Sequence, residues 1–479
     1  MEIISQNYEN LLENLIINNF SEIIKKNNQL NPNENKVFNY IKILDTLDET
    51  ICIIARKSLI TLIESIDRGF KNSPERRHSY HIKAHTTRTI MTIFGEITYR
   101  KTIYSHKHSY KSYCFIDDYL GLKKYDYFDP YIKSMVIKYA ADNPCTKVAK
   151  IINDMICNRI KIIEPFQYIS RQTIRNIILS SNLSNPEIKE LDTPEDLYIM
   201  ADEKFVATQN NDNQDVMVKE IVVFDGRTIN NNRTTLNNKY TFAGFKNNSC
   251  INDCLDYLYY VYDMDKIKNI YVMGDGARWI KALRYDFKTN PTTNVMFCLD
   301  KFHFKQALHH IAQNEILESH LTNYVIKNMK EDFINVCNNL IKSYPYRIET
   351  IKEKKEYILN NWNFIKNLYK NKLKCPMESQ ISHTLADLLT SRPKGYSLKT
   401  LEKILKIRLL LKNKHNIKKL YLNNYNKEEI LTYKKDFISF KMFERNEEYK
   451  IDKKLIPETY SNYKKDNTYT LNKLNLFLH

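Results

Sequence analysis

The chain has 479 residues, of which 43% are hydrophobic and 12% aromatic, so it is not a disordered protein and should form roughly two to four domains. Its net charge of +17 favours a polyanionic partner, and nucleic acid is the first one to expect. Without a CxxC pair, an N-terminal signal pattern or an apolar run of ~20 residues, the sequence disfavours a disulfide framework and a membrane partner and indicates a cytoplasmic protein.

The first two regions differ in the spacing of their apolar residues. Residues 1–70 are predicted to be helical, because apolar residues recur there at a spacing of three to four. Residues 71–128 are rich in basic residues and contain a predicted β-hairpin, since polar and apolar residues alternate on both sides of Gly95. A basic hairpin can lie along a phosphate backbone or form the edge of a small domain, and both interpretations stay open. The side chains that we expect at DNA here are Arg76, Arg77, Arg100 and Lys101.

Residues 129–182 return to a helical period and resemble a helix-turn-helix pair. The two helices are expected over 146–156 and 170–180, and the linker between them is longer than usual. Ser170 is a suitable N-cap for the second helix. The first turns of that helix carry residue types that reach phosphates and base edges, namely Arg171, Gln172 and Arg175. Helical pairs are also common as plain structure, so this region is either a DNA-binding or a packing element.

After a polar boundary at 182–196, the pattern becomes that of an α/β domain. The order strand, strand, strand, helix, strand, helix, strand is that of a ribonuclease-H-like core over 197–310, a mixed sheet flanked by helices. A helical insertion over 311–372, a last core helix within 373–415 and a basic tail over 416–479 are expected to follow. The expected strands are 197–202, 215–227, 238–245, 269–275 and 294–300, and the expected helices are 250–263 and 301–311.

Three aspartates, Asp202, Asp275 and Asp300, each stand at the end of an apolar run that predicts a strand. Open α/β sheets bind their ligands at the carboxyl ends of strands, so these carboxylates are expected to meet there. Carboxylate oxygens suit two Mg²⁺ or Mn²⁺ ions, and such a pair supports phosphodiester chemistry. For Asp275, which lies between two glycines, the stretch alone favours a helix cap, and the three strand ends together favour a metal ligand.

A third carboxylate could come from Glu378, in the first turn of the helix that follows Pro376. The alternative is that Glu378 only interacts favourably with the helix N-terminus. Two further residues could touch DNA. Trp279 could stack on an unpaired base, although a buried helix residue is the favoured interpretation. Arg392 could meet the phosphate backbone or be merely solvated.

Several motifs together resemble the transposases of the ISLre-two family of bacterial insertion sequences. The chain departs mildly from the usual sequence of this family at two places: Glu378-Ser379 stands where members usually have Glu-Gly, and Lys394-Gly395-Tyr396 stands where they usually have Met-Gly-Trp. The resemblance covers most of the chain, and the motifs that carry it are TIFGEITYRKTIY, YCFIDDYLGL, MADEKFV, YVMGDGARWI, LDKFHFKQAL and ESQISHTLADLLTSRPKGYS.

The resemblance implies a DDE transposase, related to Mutator-like elements, with a ribonuclease-H fold that a helical insertion interrupts before the last carboxylate. Asp202, Asp275 and Glu378 would form its metal-binding triad, with Asp300 as a less certain ligand. Asp300 and His303 resemble a C/D-x-x-H motif in which the histidine contacts the scissile phosphate or orients the site; a capping or core histidine is the alternative.

Such an enzyme binds the double-stranded terminal inverted repeats and target DNA, cleaves and transfers strands with magnesium, and holds both ends in a homodimer or larger assembly. Two rivals stay open: a ribonuclease-H-like nuclease or resolvase that cuts DNA without strand transfer, and a DNA-binding protein without catalysis.

Overall fold

The computed structural model describes most of the chain between residues 36 and 424. No helix among the described residues is both long enough and apolar enough to cross a membrane. The described residues are 36–157, 168–209, 215–230, 233–246, 249–288, 290–371, 373, 375, 377–390 and 396–424, with residues 13, 17, 18, 21 and 25.

The N-terminal region consists of a long helix packed on a β-hairpin, and the predicted hairpin at Gly95 is confirmed. Gly95 has a φ of +111°, which explains the glycine in the tight turn. Ile63, Ile97 and Ile116 belong to a small core of their own between helix and hairpin. The elements are α1 (Lys36–Asn72), α2 (Pro74–Ser79), β1 (Tyr80–Thr92), β2 (Gly95–His106), β3 (Ser112–Tyr113) and α3 (Phe115–Tyr119).

Three helices follow, and two of them lie where helices were predicted, over 146–156 and 170–180. The N-cap at Ser170 is confirmed, because its hydroxyl accepts the backbone N–H of Thr173 at 3.1 Å. Ile174 and Ile178 of the third helix are buried in a core that also contains one face of the central sheet. The linker 158–167 lies outside the described residues. The helices are α4 (Pro130–Ala140), α5 (Cys145–Cys157) and α6 (Arg171–Ser180).

The central element is a five-stranded mixed sheet with the strand order β10-β9-β4-β5-β8. Strand β5 runs antiparallel to both of its neighbours, β4 and β8, whereas β9 and β10 run parallel to β4 and to each other. A separate two-stranded hairpin, β6 and β7, lies between β5 and β8 in the chain. The strands are β4 (Asp196–Val206), β5 (Val216–Phe224), β6 (Gly226–Asn230), β7 (Arg233–Asn237), β8 (Tyr240–Gly244), β9 (Asn269–Gly274) and β10 (Asn294–Leu299).

Helices cover both faces of this sheet. On one face, Ile199 and Val272 pack with helices α7 to α9 and with the helical block that was predicted to be an insertion. On the other face, Met200 and Met273 pack with α4 to α6 and with the C-terminal helices. The helices are α7 (Ser249–Val261), α8 (Arg278–Asp286), α9 (Lys301–Ala312), α10 (Glu315–Ile326), α11 (Lys330–Ser343), α12 (Ile348–Asn360), α13 (Trp362–Lys370), α14 (Met377–Ile381), a π-helix (Ser382–Thr390) and α15 (Leu398–Lys412).

Two strand boundaries differ from the prediction. The first core strand does not end on Asp202, because its ladder with β5 continues as far as the pair Val206 and Val216. Asp202 therefore lies inside β4, beyond the last residue that pairs with β9. The predicted strand 215–227 breaks at Asp225, and its last residues belong to the β6–β7 hairpin.

Candidate active site

The strand register brings the three aspartates to one level of the sheet. Met200 pairs with Met273, so Asp202 and Asp275 each stand two residues beyond the same pair. The backbone N–H of Asp300 donates to the carbonyl of Gly274 at 2.7 Å, which places Asp300 directly beside Asp275. The three carboxylates thus come from three adjacent parallel strands.

Asp202 and Asp275 also share a face of the sheet. Side chains alternate between faces along a strand, so Asp202 is in phase with Met200, and Asp275 continues the phase of Met273. Both methionines are buried in the core that the C-terminal helices complete. The two carboxylates therefore point toward the side of the sheet on which α14 packs.

Asp300 caps α9 and orients His303. One of its oxygens, Oδ1, accepts the N–H of Phe302 at 3.2 Å, and the other, Oδ2, lies 3.1 Å from Nδ1 of His303. The hydrogen bond to Asp300 raises the pKa of His303 above its ordinary value, burial lowers it, and the charges of Asp275 and Asp202 raise it further. The charges of all three aspartates therefore act on His303. Asp300 therefore both caps α9 and holds the ring of His303 in place.

The carboxylate of Asp202 is held in an environment that disfavours its negative charge. Burial raises its pKa to about 6, and the charge of Asp275 adds to that effect. The N–H of Glu203, which donates to Asp202 Oδ1 at 2.8 Å, and His303 both act in the opposite direction. Two carboxylates side by side in a half-buried site repel each other, and a cation between them would remove the repulsion.

The short helix that carries Glu378 lies next to these residues. Helix α14 packs on β4 and β5, and Gln380, two residues after Glu378, accepts a hydrogen bond from Lys239 at 2.9 Å. Just before the helix, burial raises the pKa of the Cys375 thiol, as do the charges of Asp300 and Asp202, so the chain passes close to the carboxylates. The side chain of Glu378 lies outside the described residues.

The described donors suit a hard cation, although they do not complete a site by themselves. Among the side chains that the structure describes, no group of three or more His, Cys, Asp or Glu residues is arranged to hold a metal ion. Asp202 and Asp275 supply oxygen ligands at one level of the sheet, which is the donor chemistry that Mg²⁺ and Mn²⁺ prefer.

The loop after β9 turns tightly around Asp275. Gly276 has a φ of +94°, and a Cβ on Gly274 would stand 2.7 Å from the carbonyl of Ala201, so both glycines are required by the backbone itself. Asp275 Oδ1 accepts the N–H of Ala277 at 2.8 Å, but Ala277 and not Asp275 is the N-cap residue of α8. The cap interpretation of Asp275 is therefore wrong.

Trp279 lies on the opposite side of β4 from Asp202. It is half-buried, its Nε1 donates to a carboxylate oxygen of Glu203, and Lys219 Nζ lies 4.9 Å from its ring centroid. Glu203 and Asp202 are neighbours on a strand and so point to opposite faces. The structure does not bring Trp279 together with the carboxylate cluster.

The basic residues of the hairpin region have different environments. Arg77 and Arg100 are exposed, whereas Arg76 is half-buried and its Nε donates to the carbonyl of Lys71 at 2.7 Å. Lys101 forms an ion pair with Asp117. Arg77 and Arg100 are therefore the more accessible of the four to a phosphate backbone.

The basic residues of α6 lie at its N-terminal end. Arg171 and Gln172 are exposed, and Gln172 Nε2 donates to Asn176 Oδ1 at 2.9 Å, while Arg175 is half-buried. Helix α6 packs on α5 and α15, and the exposed residues at its N-terminal end lie on the surface. Arg392 lies outside the described residues.

Comparison with known proteins finds relatives of this chain. A model of the uncharacterised protein family UPF0236 matches residues 34–425. The chain belongs to the UPF0236 family.

Curated members of the UPF0236 family from Caldanaerobacter subterraneus subsp. tengcongensis match at similar levels. The UPF0236 protein TTE2489 is 28% identical over 389 residues, which cover 79% of this chain and 80% of the relative. A UPF0236 protein named for TTE0033 and further loci is 26% identical over 422 residues, which cover 86% of this chain and 84% of the relative.

Two residues that the sequence analysis missed stand beside the site of this UPF0236 chain. Glu220 is the cross-strand partner of Asp202 and is fully buried. A signal for it existed, because Glu220 is in phase with Val218 and Val222 on a strand that is otherwise apolar on that face. Tyr357 donates a hydrogen bond to the carbonyl of Asp275 from 82 residues away in the chain, and nothing in its local sequence indicates this contact.

Proposed function

We propose that this chain is a DDE transposase that cleaves the ends of a mobile DNA element and joins them to target DNA. The observation that carries the proposal is the placement of Asp202, Asp275 and Asp300 at one level of three adjacent strands, with His303 beside them. The sheet supports a ribonuclease-H-like core, because three antiparallel strands are followed by two that run parallel to the first.

Asp202, Asp275 and Glu378 would hold two Mg²⁺ or Mn²⁺ ions. Bound there, the ions would activate the attacking water or 3′-hydroxyl and stabilise the leaving oxygen of the phosphodiester. The pair of aspartates fits this task because their negative charges stand close together on one face. Glu378 fits it because its helix packs on β4, which carries Asp202.

His303 acts on the DNA strand. Its Nδ1 is engaged by Asp300, so Nε2 is the nitrogen that is left for the substrate. The raised pKa favours the protonated ring, which can donate a hydrogen bond to a non-bridging oxygen of the scissile phosphate. Asp300 fixes the orientation of the His303 ring, and it stays the less certain of the four proposed metal ligands.

The charge and the relatives of the chain support a DNA substrate. The net charge of +17 suits a duplex partner, and the exposed Arg77, Arg100, Arg171 and Gln172 are the residues proposed to contact the terminal repeats. One relative carries a name that covers eleven loci of a single genome, which is the distribution that a transposing element produces. Because two element ends must be joined in one event, we expect a dimer or larger assembly on DNA.

The test uses the purified full-length chain, Mg²⁺ and a plasmid that carries the sequences flanking its own gene. We expect nicking at the element ends and joined products, both lost with Asp275→Asn and both retained with the exposed Asp286→Asn. Gel-shift binding of the same DNA should survive in both variants, since neither changes the basic surfaces.

Other outcomes of the same experiment would support one of the two alternative functions. Metal-dependent cleavage without joined products would identify a ribonuclease-H-like nuclease or resolvase. Binding with no cleavage by the wild-type chain would identify a DNA-binding protein without catalysis, and cleavage that Asp275→Asn leaves unchanged would refute the assigned site.

A further inference from the structure

The helical block between α9 and α14 reaches back to the loop that carries Asp275. Tyr357, near the end of α12, donates its hydroxyl hydrogen to the carbonyl oxygen of Asp275 at 2.7 Å. A phenol hydroxyl is protonated at neutral pH and a backbone carbonyl can only accept, so Tyr357 is the donor in this hydrogen bond.

The same block makes a second contact, at the next residue of the loop. Asn361 is buried, and its Nδ2 donates to the carbonyl of Tyr357 at 2.8 Å. Its Oδ1 lies 3.1 Å from the position that a Cβ on Gly276 would take, and has no hydrogen-bond partner among the described residues. Tyr357 and Asn361 thus pack against the two residues at which the chain leaves the sheet.

The loop needs such support because its strand ladders have ended. Pairing of β9 with β4 stops at Met273 and pairing with β10 stops at Gly274, so Asp275 is the first residue beyond both. A carbonyl at a half-buried position costs free energy unless it finds a donor, and Tyr357 supplies one. The peptide bond after Asp275 is therefore held by a hydrogen bond from the helical block and not by the strand ladders of the sheet.

We propose that Tyr357 is a positioning residue that holds the backbone of Asp275 so that its carboxylate stays level with that of Asp202, a role that rests on the proposed function. The helical block is then part of the site architecture as well as a spacer between the second and third carboxylates. A one-ångström displacement of the loop would separate two ligands that must share the same cations.

The change that tests this is Tyr357→Phe in the full-length chain, which removes one hydroxyl and keeps the ring. Its matched control is Tyr369→Phe in α13, because the buried Tyr369 hydroxyl has no hydrogen-bond partner among the described residues. Melting temperatures should stay close to that of the wild type for both variants.

Three measurements separate positioning from plain structure. In Tyr357→Phe we expect faster hydrogen exchange in the segment 275–280 of the metal-free chain, and calorimetric Mn²⁺ affinity lower by about tenfold, the size of one lost hydrogen bond. The turnover number for DNA cleavage should fall while the KM for DNA stays unchanged. Tyr369→Phe should match the wild type in all three.

Unchanged exchange together with unchanged Mn²⁺ affinity in Tyr357→Phe would overturn the positioning role. A wild-type chain that binds no Mn²⁺, combined with faster exchange in Tyr357→Phe, would instead refute the proposed function and with it the purpose assigned to Tyr357. An equal effect of Tyr369→Phe would also overturn the role, because the loss would then not depend on the contact with Asp275.

Discussion

The buried glutamate beside the site predicts an unusual pH dependence of stability, which Glu220→Gln would expose. Glu220 is fully buried, and burial raises the pKa of its carboxyl to about 8. Neither carboxyl oxygen of Glu220 has a hydrogen-bond partner among the described residues. The nearby Thr384 hydroxyl lowers the pKa only in part. Lys239 and Arg408 also lower the pKa, and Asp202 raises it. The carboxyl is therefore protonated in the folded chain at neutral pH.

The magnitude follows from linkage between protonation and folding. The ordinary pKa of this carboxyl is 4.5, so in the unfolded chain it ionises before pH 7, while the folded chain keeps the proton up to about pH 8. Each pH unit in this window lowers the free energy of unfolding by about 1.4 kcal/mol, which amounts to about 3 kcal/mol between about pH 5 and about pH 7. Glutamine has no proton to lose and removes this dependence.

Urea denaturation of the wild type and of Glu220→Gln, with a chelator present, measures the effect. The stability of the variant relative to the wild type should rise by about 3 kcal/mol from about pH 5 to about pH 7. The comparison between pH values cancels any fixed cost of the new amide. Glu356→Gln, at an exposed position of α12, is the matched control for the change from carboxyl to amide. A stability difference for Glu220→Gln that stays constant with pH would refute the reasoning.

Two further changes probe the site itself. Gly276→Ala places a side chain at a φ of +94°, with its Cβ 3.1 Å from both Asn361 and Leu299, so we expect the free energy of unfolding to fall by about 1–3 kcal/mol. Thermal melting measures the effect, and Gly69→Ala is the control because a Cβ on Gly69 meets no atom within 4 Å. A melting temperature of Gly276→Ala equal to that of the wild type would contradict this strain. Protons should compete with cations at Asp202, whose pKa burial raises to about 6. Calorimetric Mn²⁺ affinity should therefore fall below about pH 6, and an affinity that does not change with pH would argue against Asp202 as a ligand.

The strands could be predicted because their signals are local. Apolar runs of four and five residues, bounded by polar or glycine residues, predicted β9 and β10 to within one residue. The end of β4 could not be predicted in the same way, because Asp202 and Glu203 look like the end of a run. The strand continues to Val206 only because β5 pairs with it, and that pairing is a property of the tertiary fold.

For the candidate site too, some features could be predicted from the sequence and others depend on the tertiary fold. Asp202, Asp275 and Asp300 could be selected from the sequence because each ends an apolar run that predicts a strand, whereas His303 was selected only through the resemblance to a transposase motif. Their common level depends on the register of β4, β9 and β10, and no sequence spacing specifies a register across a crossover. For Lys101 the sequence predicted a contact with DNA, but in the folded chain its side chain forms an ion pair with Asp117.

By itself, the sequence determined the kinds of element, the residue types at the strand ends and the basic charge that favours DNA, because each follows from local pattern or composition. Only the tertiary structure decided which carboxylates share a face, which carboxyl is buried without charge, and which side chain supports the Asp275 loop. Those outcomes depend on burial and on contacts between residues that are far apart in the chain, as with Tyr357 and Asp275, and a local pattern carries no information about them.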